Sequence, residues 1–200
     1  MPAVDRGRML LGITGAPGSG KSTLAHTLAG FAADVAVVPL DGFHLADVEL
    51  VRRGLLDRKG APETFDAWGY AALLARLRSR PDHVVMAPGF ERDLEQPLAG
   101  AVPVPPAASL VVTEGNYLLL DEPAWRSARA ALDTVWHVVV DPAVRRTRLV
   151  TRHVAFGKTP AAAAAWVNRV DEPNALLVEA ARDSADLLLD LTDWQPAPVG

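Results

Sequence analysis

The stretch "GAPGSGKS", residues 15 to 22, carries glycine, lysine and serine at every fixed position of the pattern G-x-x-x-x-G-K-S/T. The apolar run "MLLGIT" (9–14) leads into it, and a segment of helical spacing, "SGKSTLAHTLAGFA" (19–32), leads out. The pattern therefore lies between a predicted strand and a predicted helix, the context it needs to cradle phosphate. Gly15, Gly18 and Gly20 let the backbone curl until successive N–H groups converge on phosphate oxygens. The helix beginning near Gly20 adds its positive end. Lys21 is expected to reach into solvent until a nucleotide arrives and then to meet the β- and γ-phosphates, while Ser22 offers its hydroxyl to Mg2+. With Ala16, Pro17, Ser19 and Thr23, these residues form the predicted binding segment for the cofactors ATP and Mg2+.

Working outward, five further apolar runs follow: "VAVVPL" (35–40), "HVVMA" (83–87), "SLVVTEG" (109–115), "TVWHVVVD" (134–141) and "ADLLLDL" (185–191). Most are continuous rather than alternating, as expected of strands covered on both faces. Between them the spacing is helical. Leu24, Leu28 and Phe31 share one predicted face, and Leu73, Leu74 and Leu77 share another. The alternation predicts a three-layer α/β domain of the P-loop kind, with a parallel sheet of about five strands and helices on both faces. No repeat or linker divides residues 1–200. Residues 88–108 are proline-rich and break the alternation. They are read either as part of a hairpin or loop excursion over about 84–108 or as a plain surface connection.

Composition narrows the classes. Half of the 200 residues are hydrophobic, enough for an ample core in one domain. The chain has no cysteine, which excludes disulfides, thiolate zinc sites and cysteine nucleophiles. A formal charge of −4 gives no general electrostatic reason to bind nucleic acid or an anionic membrane. "MPAVDRGRMLLGITGAPG" (1–18) does not read as a signal peptide, and no apolar stretch is long enough to span a bilayer. A cytoplasmic location is expected, with no nucleic-acid or membrane partner and with a homodimer allowed.

Two more stretches bear on chemistry. "LVVTEG" (110–115) is a buried-strand pattern ending in Glu114, which would face the metal site or pair with a loop lysine. "DPAVRRTRLVTRHVAFGK" (141–158) opens with an N-cap and proline, then places Arg145, Arg148 and Arg152 on one helix face. Three guanidiniums there suit a helical lid, over about 142–160, that closes on polyphosphate; a solvated basic face is the plainer reading. A guanine-reading N-K-x-D is absent. "NRVD" (168–171) has arginine in place of lysine and follows an alanine-rich helical segment.

With "RGLLDRKGAPETFD" (53–66), these pieces resemble the P-loop kinases of the uridine kinase and bacterial pantothenate kinase group, over about residues 9 to 191. Within it they are most similar to the short nucleoside/nucleotide kinase-like proteins sometimes labelled fructose-transport kinases. "LDGFH" (40–44) is similar to the strand-end Asp-Gly-Phe or Asp-Ser-Phe of those groups. Their aspartate is regarded as the base for the acceptor hydroxyl, which implies that role for Asp41. The closing "FD" is similar to the uridine kinases, whose aspartate binds ribose hydroxyls, and this implies an acceptor contact for Asp66. "EGN" (114–116) resembles the Glu-Gly strand end near the metal, and "VRRTRLVTRH" (144–153) resembles the arginine-bearing lid. The segment "APGFERDLEQP" (87–97) lacks the Tyr-Asp and His-Ser patterns by which uridine kinases hold a pyrimidine, and the chain is far shorter than a pantothenate kinase.

The expected activity is Mg2+- and ATP-dependent phosphorylation of a hydroxyl on a small metabolite. Lys21, Arg148 and Arg152 would stabilise charge, and Arg145 would join the nucleotide site. Gly42 would allow close approach of the acceptor, with Phe43, His44, Arg92 and Asn174 as further contacts. Several of these have structural alternatives: Asp41 as a cap for the N–H of His44 or Leu45, His44 acting from behind, and Asn174 at a helix break near Pro173. His26 and His137 read as packed structural residues, and Trp125, Trp136 and Trp166 as core or helix packing. The rival from another class is a nucleotide-gated regulatory ATPase acting through a protein partner.

Overall fold

The computed structural model describes residues 7–196. The first six residues, part of the segment read as no signal peptide, lie outside the described residues. Strand β1 (Met9–Gly15) enters helix α1 (Lys21–Ala29), and β2 (Val35–Pro39) ends in a single 3-10 turn over Leu40–Phe43. Helices α2 (Asp47–Arg53) and α3 (Ala67–Arg78) lead to a pair of strands, β3 (Val85–Glu91) and β4 (Gln96–Val104). Then come β5 (Leu110–Glu114), α4 (Pro123–Ala130), β6 (Thr134–Val139), α5 (Pro142–Ala155), α6 (Pro160–Trp166), α7 (Glu172–Ala180) and β7 (Leu187–Asp190). Among the described residues no helix is long and apolar enough to cross a membrane.

Five strands form one parallel sheet in the order β2-β5-β1-β6-β7, as the alternation predicted. Successive side chains on a strand point to opposite faces, so β1 feeds two cores. Leu10 joins Tyr70, Leu74 and Leu77 of α3 and Trp125 of α4 on one face. Leu11 and Ile13 join Leu24 and Ala25 of α1 on the other. Helices thus cover both faces, and the three layers follow.

Three local expectations change. "HVVMA" does not join the sheet; its β3 pairs antiparallel with β4 in a separate hairpin. The reason is visible in its burial, because Val85 and Ala87 are buried while Val84 and Met86 are exposed, so only one face is covered. Phe31 does not share the buried face of Leu24. Helix α1 ends at Ala29 with Gly30 as its C-cap, which leaves Phe31 78% exposed. The helical stretch after the alanines does not break at Pro173. It passes through a π-helical turn, Val167–Asp171, and continues as α7 with Pro173 in its first turn.

Candidate active site

Strand register brings the predicted residues to one edge. Ile13 and Pro39 both stand opposite Glu114, in β1 and β2 on either side of β5. The glycine-rich loop leaves β1 just after Ile13, and Asp41 follows β2 by two residues. Both therefore emerge beside Glu114 at the carboxyl end of the sheet, where open α/β sheets bind ligands.

The loop is built for an anion. Gly18 has φ +80°, and a Cβ there would come within 2.8 Å of Leu149 Cγ and 3.0 Å of the Arg145 carbonyl oxygen. Only glycine suits that bend and that contact with α5. Ser19 Oγ is buried with no hydrogen-bond partner, an unsatisfied donor inside the loop. Lys21 departs from expectation: it is buried rather than solvent-reaching, and its Nζ donates across the loop to the Ala16 carbonyl at 3.1 Å. Burial lowers its pKa from 10.5 to about 8, against the opposing pull of Glu114 and Asp41. Ser22 Oγ donates to Glu114 Oε1 at 3.0 Å. No group of three or more His, Cys, Asp or Glu side chains among the described residues could hold a metal. The Ser22–Glu114 pair still fits Mg2+, which keeps several waters and binds through one or two carboxylates plus substrate phosphates.

The arginines of α5 divide. Arg145 is buried, donates to the Pro17 carbonyl at 3.2 Å and pairs with Glu172 at 2.6 Å, so it braces the loop from behind and does not line the cavity. Arg148 also lies outside the cavity lining, with Nη1 3.8 Å from where a Gly20 Cβ would stand. Arg152 faces the cavity. Thr23 is exposed on α1.

Asp41 does not cap its own turn. His44 N donates to the Asp41 backbone carbonyl and Leu45 N to the Thr64 carbonyl, while Asp41 Oδ2 accepts from Arg92 at 2.8 Å. Burial opposes its ionisation, but His44, Arg92, Lys21 and Arg152 outweigh that and hold the carboxyl below its ordinary range. Burial and the neighbouring Asp41 push Glu114 the other way, above the usual carboxylate value. Burial lowers His44 too, which favours a neutral ring beside Phe65 and Phe90. Gly42 departs from expectation as well. A Cβ there would lie 2.4 Å from the Pro88 carbonyl oxygen, so what approaches it is the backbone of the hairpin and not an acceptor.

A cavity of about 710 Å3 opens from the loop past Asp41 and Glu114 to His44, Arg92 and Asn174. Asn174 Nδ2 donates to the Gly60 carbonyl at 3.3 Å, and Tyr117 Oη donates to the same oxygen. Two sequence-predicted acceptor residues stay outside the lining. Asp66 is exposed and caps α3 by accepting from Gly69 N, and Phe43 packs edge-on against Tyr70. Sequence reasoning missed Lys59, which joins α2 to the hairpin turn through Asp47 and the Glu95 carbonyl. It also misplaced His26, which is exposed; Trp166 packs against His153 of α5, as helix packing predicts, and in addition lines the cavity between Lys158 and Arg169. Trp125 and His137 are buried as expected, and Trp136 is partly buried against the second core.

No protein-family model matches the chain. A protein of Schizosaccharomyces pombe that carries a provisional uridine kinase name is 33% identical over 194 residues, covering 91% of this chain and 83% of its own. A pantothenate kinase of Nocardioides is 33% identical over 116 residues, and that match spans only 35% of the enzyme's length. Among solved structures, a Silicibacter protein provisionally named a fructose transport system kinase is 42% identical. It superposes with a TM-score of 0.85 over 94% of this chain and 93% of its own. Likeness of that extent, on a phosphate loop with two carboxylates at its side, makes the chain a member of the P-loop small-molecule kinases of the uridine kinase and pantothenate kinase group, phosphotransferases that act on an alcohol.

Proposed function

We propose that the chain transfers the γ-phosphoryl group of ATP, with Mg2+, to a hydroxyl of a small metabolite such as a nucleoside, a pantothenate-like alcohol or a sugar. The observation that carries this is the meeting of Lys21, the Ser22–Glu114 pair and Asp41 in one cavity. Loop N–H groups and Lys21 would hold the phosphates, and Ser22 with Glu114 would hold the metal. Bound Mg2+ would supply charge neutralisation to the phosphates. Asp41 would orient the acceptor hydroxyl and take its proton as the new O–P bond forms and the bond to the departing ADP breaks. Arg152, and Arg148 from the same helix, would spread the charge developing in transfer, with α5 and α6 acting as the lid. Arg145 would act on the nucleotide indirectly, by keeping Pro17 in place.

ADP release from ATP should rise on adding the right acceptor, tested across nucleosides, pantothenate and sugars. A rate that no alcohol in such a panel changes counts against a kinase. Lys21 also sets a pH dependence. Its charged form, which meets phosphate, is present below about pH 8 and is lost as the pH rises through that value. ATP affinity should therefore fall about tenfold between about pH 7 and about pH 9. Titration of a nonhydrolysable analogue measures this, and a flat affinity over that range would show either that Lys21 keeps its charge through it or that Lys21 does not carry the contact.

A further inference from the structure

Asp41, the carboxylate read above as the base, is occupied. Arg92 Nη2 donates to its Oδ2 at 2.8 Å, and the Arg92 guanidinium lies 5.4 Å from the Phe90 ring centroid. The hairpin lies against the Asp41 turn, with Pro88 packed directly onto Gly42. Arg92 can leave Asp41 by turning its own side chain, which is 43% exposed. It has room to do so. Arg92 borders the main cavity and also a second one of about 340 Å3, between the hairpin and α1.

Water can solvate part of a guanidinium that turns off its carboxylate, but an anion in the cavity would hold it there more firmly. Most other acids of the cavity are engaged: Asp47 pairs with Lys59, Asp171 with His153, and Glu114 accepts from Ser22. Glu91 and Glu95 lie on the hairpin beside Arg92 whatever the acceptor, so they create no preference between one acceptor and another. An acceptor that carries its own anion does. Lys158 and Arg169 have no carboxylate within ion-pair distance among the described residues and face the cavity around Trp166. The wall they form also favours a negative occupant.

We propose that Arg92 is a specificity-determining residue that selects acceptors bearing a carboxylate or phosphate beside the reacting hydroxyl. The anion draws Arg92 off Asp41 and so frees the base; a neutral alcohol leaves the bridge closed. This rests on the kinase reading above and adds to it the charge class of the acceptor.

The test uses matched probes: D-glycerate against glycerol, pantothenate against panthenol, and ribose phosphate against ribose. Each is assayed for ATP-dependent phosphorylation and, with a nonhydrolysable ATP analogue, for thermal stabilisation. In at least one pair the wild type should favour the anionic member in kcat/KM by on the order of 10–100-fold. The carboxylate and phosphate pairs show which anion is read. Arg92→Gln should bring that preference within a few-fold, by raising KM for the anionic probe and by freeing Asp41 for the neutral one, and Arg92→Lys should retain part of it. In Arg92→Gln the acid limb of the pH profile should move upward, because Asp41 loses a cation that lowers its pKa. Transfer without charge preference, or a preference unchanged in Arg92→Gln, overturns the proposal and leaves the kinase reading standing. Charge-selective, Arg92-dependent stabilisation with no transfer to any probe supports the recognition and overturns the kinase reading. Neither transfer nor selective stabilisation overturns both.

Discussion

Asp41→Asn should lower turnover by about 10²–10⁴-fold with ATP affinity and melting temperature close to wild type. The carboxylate accepts no backbone N–H of its own turn; its partner is Arg92, on a half-exposed side chain. Asparagine keeps the size and an oxygen that can accept from Arg92, but it cannot take a proton from an acceptor hydroxyl. The fold therefore loses little while the reaction loses its base. Stopped-time assays of product, alongside a thermal melt, separate the two effects. Turnover within a few-fold of wild type, or a loss matched by early melting, would remove Asp41 from the chemistry.

Lys21→Ala should lower transfer by at least about 10²–10³-fold, the scale for removing one preorganised charge from a transition state. Its effect on stability runs the other way from a usual truncation. Burial depresses the folded pKa of Lys21 from 10.5 to about 8, so at neutral pH the folded protein carries a penalised charge. The unfolded chain binds more protons between those values, and wild-type stability should gain as the pH rises from about 8 toward 10.5. The alanine variant should lack that gain: it should melt at or above wild type at neutral pH, where it no longer carries the penalised charge, and lose that advantage as the pH rises toward 10.5. Denaturant melts across the range measure it. A variant that transfers phosphate at a near wild-type rate would show that the loop is not catalytic.

The loop was legible because its glycines, lysine and serine have fixed spacing, and Asp41 and Glu114 because each ends or follows an apolar run. Strand register, which sequence does not print, then decides that these meet, and it places both beside the loop. The acceptor wall was harder to read. Asp66 looked like a ligand but caps α3, since a carboxylate before a helix serves either purpose. Arg145 shares its periodicity with Arg152, yet one is buried against Glu172 and the other faces the cavity, because spacing gives a face and not its neighbour. Arg169 reaches the site from a π-helical turn, an irregularity that propensity does not signal, and Trp166 ends the helix just before it. The Arg92–Asp41 bridge spans 51 positions and depends on the hairpin packing onto Gly42, which no local pattern encodes.

The most direct test follows the phosphoryl group itself. ATP labelled with heavy oxygen in its γ-phosphate, Mg2+ and the protein are incubated with a pool of small hydroxylated metabolites, and the label is traced by mass spectrometry. A kinase with Asp41 as base should place the label on an alcohol oxygen, as a phosphate monoester formed in step with ADP, and Asp41→Asn should abolish that product. Label found only in inorganic phosphate, released at the same rate with and without the pool, would contradict the account and favour an ATPase that acts through a partner.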